Sequence, residues 1–144
     1  MAKCEMEDSW IFLSVARSSG SHLSHFYSAA DHINVAIPTN EEIEWSVNRL
    51  VACGLVDIEN NSFSLTAKGR KLFDAINKKS LYPRLQLEIA VPLLAKAMKI
   101  TIRESSWHLD PNVAANAIQQ YSERTKKIFR SQAKKHQLKN TKPE

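Results

Sequence analysis

The chain has 144 residues, 43% of them hydrophobic, enough to bury one real core, so one compact domain with an appendage is expected. No apolar run approaches the roughly 20 residues that span a bilayer, and the opening MAKCEMEDSW lacks the basic-then-apolar order of a signal peptide, so a cytoplasmic protein without membrane contact is expected. The net charge of +5 is divided: residues 1–60 carry three basic and nine acidic side chains, net −6, and residues 61–144 carry seventeen and six, net +11.

In chain order, Ser9 is placed to cap WIFLSVARSS, a segment with so little polar face that it suits the centre of a small domain, and Gly20 closes it. His22 and Leu23 are candidates for a short strand. Ser24 then begins a second helix, SHFYSAADHINVA, which stops before Pro38. Thr39 and Glu42 have the spacing of a capping box at the start of a third helix. Its apolar stripe is Ile43, Val47, Leu50 and Val51, at helical period, and Gly54 suits the left-handed residue beyond its end. Cys53 lies there as a reduced small hydrophobe. With Cys4 as the second cysteine there is no disulfide framework.

Val56 and Ile58 alternate with Asp57, and Phe63 and Leu65 alternate with Ser64, which is strand periodicity. A two-residue turn at Asn60 and Asn61 sets Ile58 opposite Phe63 and Val56 opposite Leu65, with all four on one buried face. Thr66 caps the next helix, AKGRKLFDAINKK, in which Leu72, Phe73 and Ile76 face inward. From Leu81 to Arg103 the chain is apolar and interrupted by Pro83 and Pro92, giving one broken helix or two, and KITIRE over 99–104 alternates well enough for a short strand. Asp110 and Pro111 start a long helix with Ala114, Ile118, Tyr121, Ile128 and Phe129 as its inner stripe. Arg124, Lys126, Lys127, Arg130, Lys134 and Lys135 load its latter part with charge, and the last residues, HQLKNTKPE, read as frayed.

The segments RLVACGLVDI and FSLTAKGRKLF carry a resemblance. From about Ser9 to Phe73 the chain resembles the winged helix-turn-helix domain of bacterial transcriptional regulators of the PadR and MarR type, with a helix ending in Gly-Leu, a wing, and a Leu-Thr-x-x-Gly helix start. The DHINVAIPTNEE segment is closer to small bacterial winged-helix proteins of uncharacterised role. The fold class expected is mainly α with a small β-hairpin, an α+β arrangement: a winged-helix domain over 1–79 and a C-terminal helical extension over 80–144. The resemblance implies DNA binding and transcription regulation, and dimerisation through the added helices. Winged helices also serve as protein-interaction modules.

Candidate DNA contacts follow from position on this frame. Asn40, Trp45, Asn48 and Arg49 lie on the third helix, and Asn48 and Arg49 have the chemistry to read adenine and guanine edges. Asn60 and Asn61 form the wing tip. Lys68, Arg70 and Lys71 beside the wing, and Lys126, Lys127 and Arg130 on the last helix, are candidates for phosphate contacts. Glu41, Glu42 and Glu44 oppose phosphate, although they also suit the helix dipole. Glu41, Glu44 and Trp45, together with Ile118, Tyr121, Ile128 and Phe129, are therefore candidates for a protein interface, with a homodimer as one outcome. His22, His25 and His32 lack a compact ligand motif, no Gly-x-Ser-x-Gly elbow occurs, and three glycines in all are too few for a phosphate-cradling loop. No enzyme activity, metal or cofactor is expected.

Overall fold

The computed structural model describes residues 4–140, with side chains through residue 134. Within them lie six helices and one antiparallel hairpin, so the chain is mainly α with a small β part. At the centre stands α1 (Met6–Ser18), which packs against α2, α3, α4, α5 and the second strand. Ile11, Phe12, Leu13 and Val15 are fully covered, as its nearly unbroken apolar sequence requires.

The helix starts earlier than Ser9. Glu5 takes the cap position, its amide donating to Asp8 Oδ2 at 2.9 Å, and the acidic first turn of Glu7 and Asp8 favours that start. Ser9 lies a turn inside, where its hydroxyl donates to Leu87 O at 2.6 Å. Next comes α2 (Leu23–Asn34), which begins where a strand was expected. The preceding segment meets the hairpin through Gly20 N–H to Phe63 O at 3.0 Å and Ser62 Oγ to Ser21 O at 2.8 Å, too brief a contact for a third strand. Trp10 Nε1 ties α1 to α2 at Ala30 O, 2.9 Å away.

The middle of the chain follows its local signals. The capping box of α3 (Asn40–Ala52) is formed, with Glu42 N donating to Thr39 Oγ1 at 3.1 Å and Thr39 N donating to Glu42 Oε1 at 2.9 Å. Gly54 beyond it has φ of 78°. Strands β1 (Val56–Glu59) and β2 (Ser62–Leu65) pair Val56 with Leu65 and Ile58 with Phe63. Asn60 and Asn61 both have positive φ, 48° and 62°, as the tight hairpin turn demands. Val56 and Phe63 are buried while Ile58 and Leu65 are half-buried, so the shared face is covered unevenly.

The Leu-Thr-x-x-Gly segment has a local physical reason. Thr66 Oγ1 accepts from Gly69 N at 3.0 Å to cap α4 (Ala67–Lys79), and donates to Gly54 O at 2.6 Å. A Cβ on Gly69 would stand 2.2 Å from Leu55 O, so only glycine lets the helix meet the chain entering β1.

A single helix, α5 (Pro83–Ala97), settles the apolar stretch: Pro83 opens it and Pro92 lies inside it. Its buried Gln86 donates to Asn77 Oδ1 and Ser80 O, both at 2.7 Å, and accepts from Arg17 at 2.9 Å. All its polar atoms are thereby satisfied, and it joins α1, α4 and α5. Residues 98–110 have no regular secondary structure, so KITIRE is not a strand. Ile102 and Arg103 instead donate to Ala52 O at 2.7 and 3.1 Å.

The last helix, α6 (Pro111–Asn140), starts at Asp110, whose Oδ1 accepts from Asn112 N at 2.8 Å. Residues 136–140 of the tail expected to fray are helical, and 141–144 lie outside the described residues. α6 crosses α2 through Tyr121 O–H to Asp31 Oδ2 at 2.5 Å and Arg124 to Ser24 Oγ at 2.9 Å. The inner stripe holds for only part of its length. Ala114 is buried and Ile118 and Tyr121 are half-buried, but Ile128 and Phe129 are 59% and 65% exposed. Length explains this: α6 has 30 residues and α2 has 12, about 45 Å against about 18 Å.

One buried residue yields a stability prediction. Tyr27 is fully covered, its hydroxyl has no hydrogen-bond partner among the described residues, and burial pushes its pKa up to about 12. Tyr27→Phe keeps the ring and removes an unsatisfied polar atom, so stability at neutral pH should rise by about 1 kcal/mol in urea titration. Because the folded chain holds this proton more tightly than the unfolded one, wild type should lose stability as pH rises from 10 towards about 12. The variant should lose less over that range. A variant less stable than wild type would show that the hydroxyl is satisfied.

Candidate functional site

The outward edge of α3 and the strap of residues 98–110 form one surface. Asn48 sits under the strap with its amide engaged at both ends. Nδ2 donates to Trp107 O at 2.8 Å, while Oδ1 accepts from Trp107 N at 2.9 Å and from Ser105 Oγ at 2.6 Å. One turn earlier, Glu44 Oε1 accepts from Leu109 N at 2.6 Å, and its Oε2 lies 3.9 Å from His108 Nδ1. Trp107 also packs edge-on to Phe63, with ring centroids 5.3 Å apart, which anchors the strap on the hairpin.

Arg49 turns towards the interior. Its guanidinium lies 3.4 Å from the carboxylate of Asp8, which is completely buried, and 5.3 Å over the Trp45 ring. Trp45 itself is 57% exposed. Between α3 and the strap runs an open groove of about 670 Å³, lined by Glu41, Glu44, Trp45, Asn48, Arg49, Glu104 and His108 among others. Its three carboxylates outnumber the Arg49 guanidinium, so the groove is acidic on balance, and Trp45 gives it an aromatic face.

The remaining candidates are scattered. Asn40 is half-buried at the first residue of α3. Asn60 and Asn61 border a second cavity, of about 690 Å³, with His22, His25, Asn116 and Gln120. Lys68 Nζ donates to Cys53 O at 3.0 Å, and Arg70 and Lys71 are exposed on α4. Lys126, Lys127 and Arg130 stand exposed on α6 with Ile128 and Phe129, and Lys126 lies 3.8 Å from Glu123. The structure thus gathers Glu41, Glu44, Trp45, Asn48 and Arg49 at one edge. The basic residues of α6 form a separate group.

Ser105, Trp107 and Leu109 were missed as partners of that edge. The signal available was an outward Trp45, which implies a cover, and a tryptophan in a stretch without helical period. Burial raises the pKa of Cys4 to about 11 and also pushes up the thiol of Cys53, so neither is a reactive thiolate at neutral pH. Among the described residues no helix is long and apolar enough to cross a membrane. Comparison with protein families, with curated proteins and with solved structures gives no match.

Proposed function

We propose that the chain is a winged-helix protein-interaction module whose docking surface is the acidic outer edge of α3. The order of three helices, hairpin and helix, with Leu65-Thr66 and Gly69 at the last start, supports the winged-helix reading. The observation that carries the interaction role is the state of Asn48. Asparagine reads adenine by one donated and one accepted hydrogen bond. The backbone N–H and C=O of Trp107 already supply that pair, and Arg49 is held by Asp8 and Trp45. Base reading through α3 would require the strap to lift. Trp45 needs no such change to meet a partner.

The test is a mobility-shift titration against mixed genomic fragments at two salt concentrations, beside isolation of tagged full-length protein with its bound partners. No fragment should be selected over the pool, and one stoichiometric protein partner, a different protein or an untagged copy of the same chain, should be lost on Trp45→Ala without change in circular dichroism. Selection of a fragment that survives physiological salt would overturn this function.

A DNA-binding transcriptional regulator is the second reading, favoured by the exposed Lys126, Lys127 and Arg130. In that case affinity falls steeply with salt, and each change to Gln lowers the salt slope by about one contact.

A further inference from the structure

From Lys126 to Lys134 every residue of α6 is exposed, and the stretch holds four basic side chains and no acidic one. Ile128 and Phe129 stand in its middle, 59% and 65% exposed. A helix end of this length without packing is marginal in water, because most helical stability in proteins comes from burying an apolar face. A partner surface that covered Ile128 and Phe129 would steady it. The outer edge of α3 has the opposite character: Trp45 is 57% exposed, and Glu41 and Glu104 project beside it, both exposed. One chain therefore carries a basic, aromatic helix end and an acidic, aromatic groove.

We propose that the chain forms a homodimer in which the α6 end of each copy lies in the α3 groove of the other. Phe129 packs towards Trp45, and Lys126, Lys127 and Arg130 face Glu41, Glu44 and Glu104. The proposal rests on reading the α3 edge as a protein docking surface, and it names a second copy as the occupant. Charge complementarity within one sequence, net −6 over residues 1–60 and net +11 over 61–144, favours self-recognition. Length agrees: residues 126–140 span about 22 Å of helix, close to the about 20 Å of α3 along which the groove runs. Closure at two copies requires a two-fold arrangement, in which each copy inserts its helix end into the same copy whose end it receives; the same contact made head to tail would build a ring or filament instead.

Charge exchange tests the pairing. One full-length variant carries Glu41→Lys and Glu104→Lys, and the other carries Lys126→Glu, Lys127→Glu and Arg130→Glu; all five residues are exposed, and circular dichroism checks both folds. Light scattering and sedimentation velocity at low salt should find wild type dimeric. Each variant alone should dissociate about tenfold or more readily, because like charges then face each other. An equimolar mixture should recover the dimer, since both contacts in the mixed pair are again opposite in sign. Trp45→Ala should weaken the wild-type dimer.

A wild-type monomer at high micromolar concentration overturns the proposal. Persistence of the dimer in either variant alone overturns it too, by pointing to another interface such as α6 on α6. Failure of the mixture to associate is equally fatal. These outcomes are separable from the function test: DNA selection by wild type sinks the interaction-module reading, whereas a monomer that selects no DNA sinks only this pairing.

Discussion

Arg49→Met should cost about 3 to 5 kcal/mol of stability in urea titration, although a surface arginine would cost almost nothing. The Asp8 carboxylate it faces, at 3.4 Å, has no exposure, and the Arg49 side chain has only 15%. Without the guanidinium, Asp8 is left as an uncompensated buried charge. Changing both, with Asp8→Leu added, should recover much of the loss, since a buried ion pair often exchanges for apolar residues at small cost. Recovery should fall short of wild type, because Asp8 Oδ2 also accepts from Glu5 N at the start of α1. If Arg49→Met unfolds like wild type, the guanidinium faces solvent, and a base-reading role for it returns.

Gly69→Ala should be as damaging, at about 3 kcal/mol or more, through collision instead of charge. The added methyl would stand 2.2 Å from Leu55 O, and that atom is backbone held at the entry to the hairpin by Thr66 N at 3.1 Å. Neither α4 nor β1 can yield alone. Thermal unfolding should show a fall of several degrees or failure to fold, and a variant with unchanged melting would mean that α4 leaves room for a methyl group against Leu55 O.

What was legible in the sequence was short-range. The Thr39 and Glu42 capping box, the Asn60–Asn61 turn, the register of Ile58 with Phe63 and the Thr66 cap each depend on residues within a few positions, so their chemistry is written locally. Ser9 misled because a good cap residue can be overridden by an acidic turn upstream and by a buried hydrogen-bond acceptor on α5. KITIRE alternates like a strand but pairs with none among the described residues: the amides of Ile102 and Arg103 go to the end of α3, and the Arg103 side chain meets β1 at Asp57. The candidate site was half visible. Outward placement of Trp45 was correct, yet the partners of Asn48 lie 57 and 59 residues away, and nothing in local pattern encodes that pairing. Ile128 and Phe129 kept helical period beyond the point where α2 ends beneath them.

The strap also changes what counts as a unit of unfolding. Glu44, Asn48 and Ala52 receive bonds from Leu109, from Trp107 and Ser105, and from Ile102 and Arg103, so successive turns of α3 are clamped by one segment remote in sequence. Amides of α3 and those of Ile102, Trp107 and Leu109 should therefore lose protection from hydrogen exchange together, ahead of or behind the helices between them. A fragment ending at residue 79 would free the outer edge of α3 but remove what steadies it. Its behaviour would then describe a looser helix than the one the full chain presents.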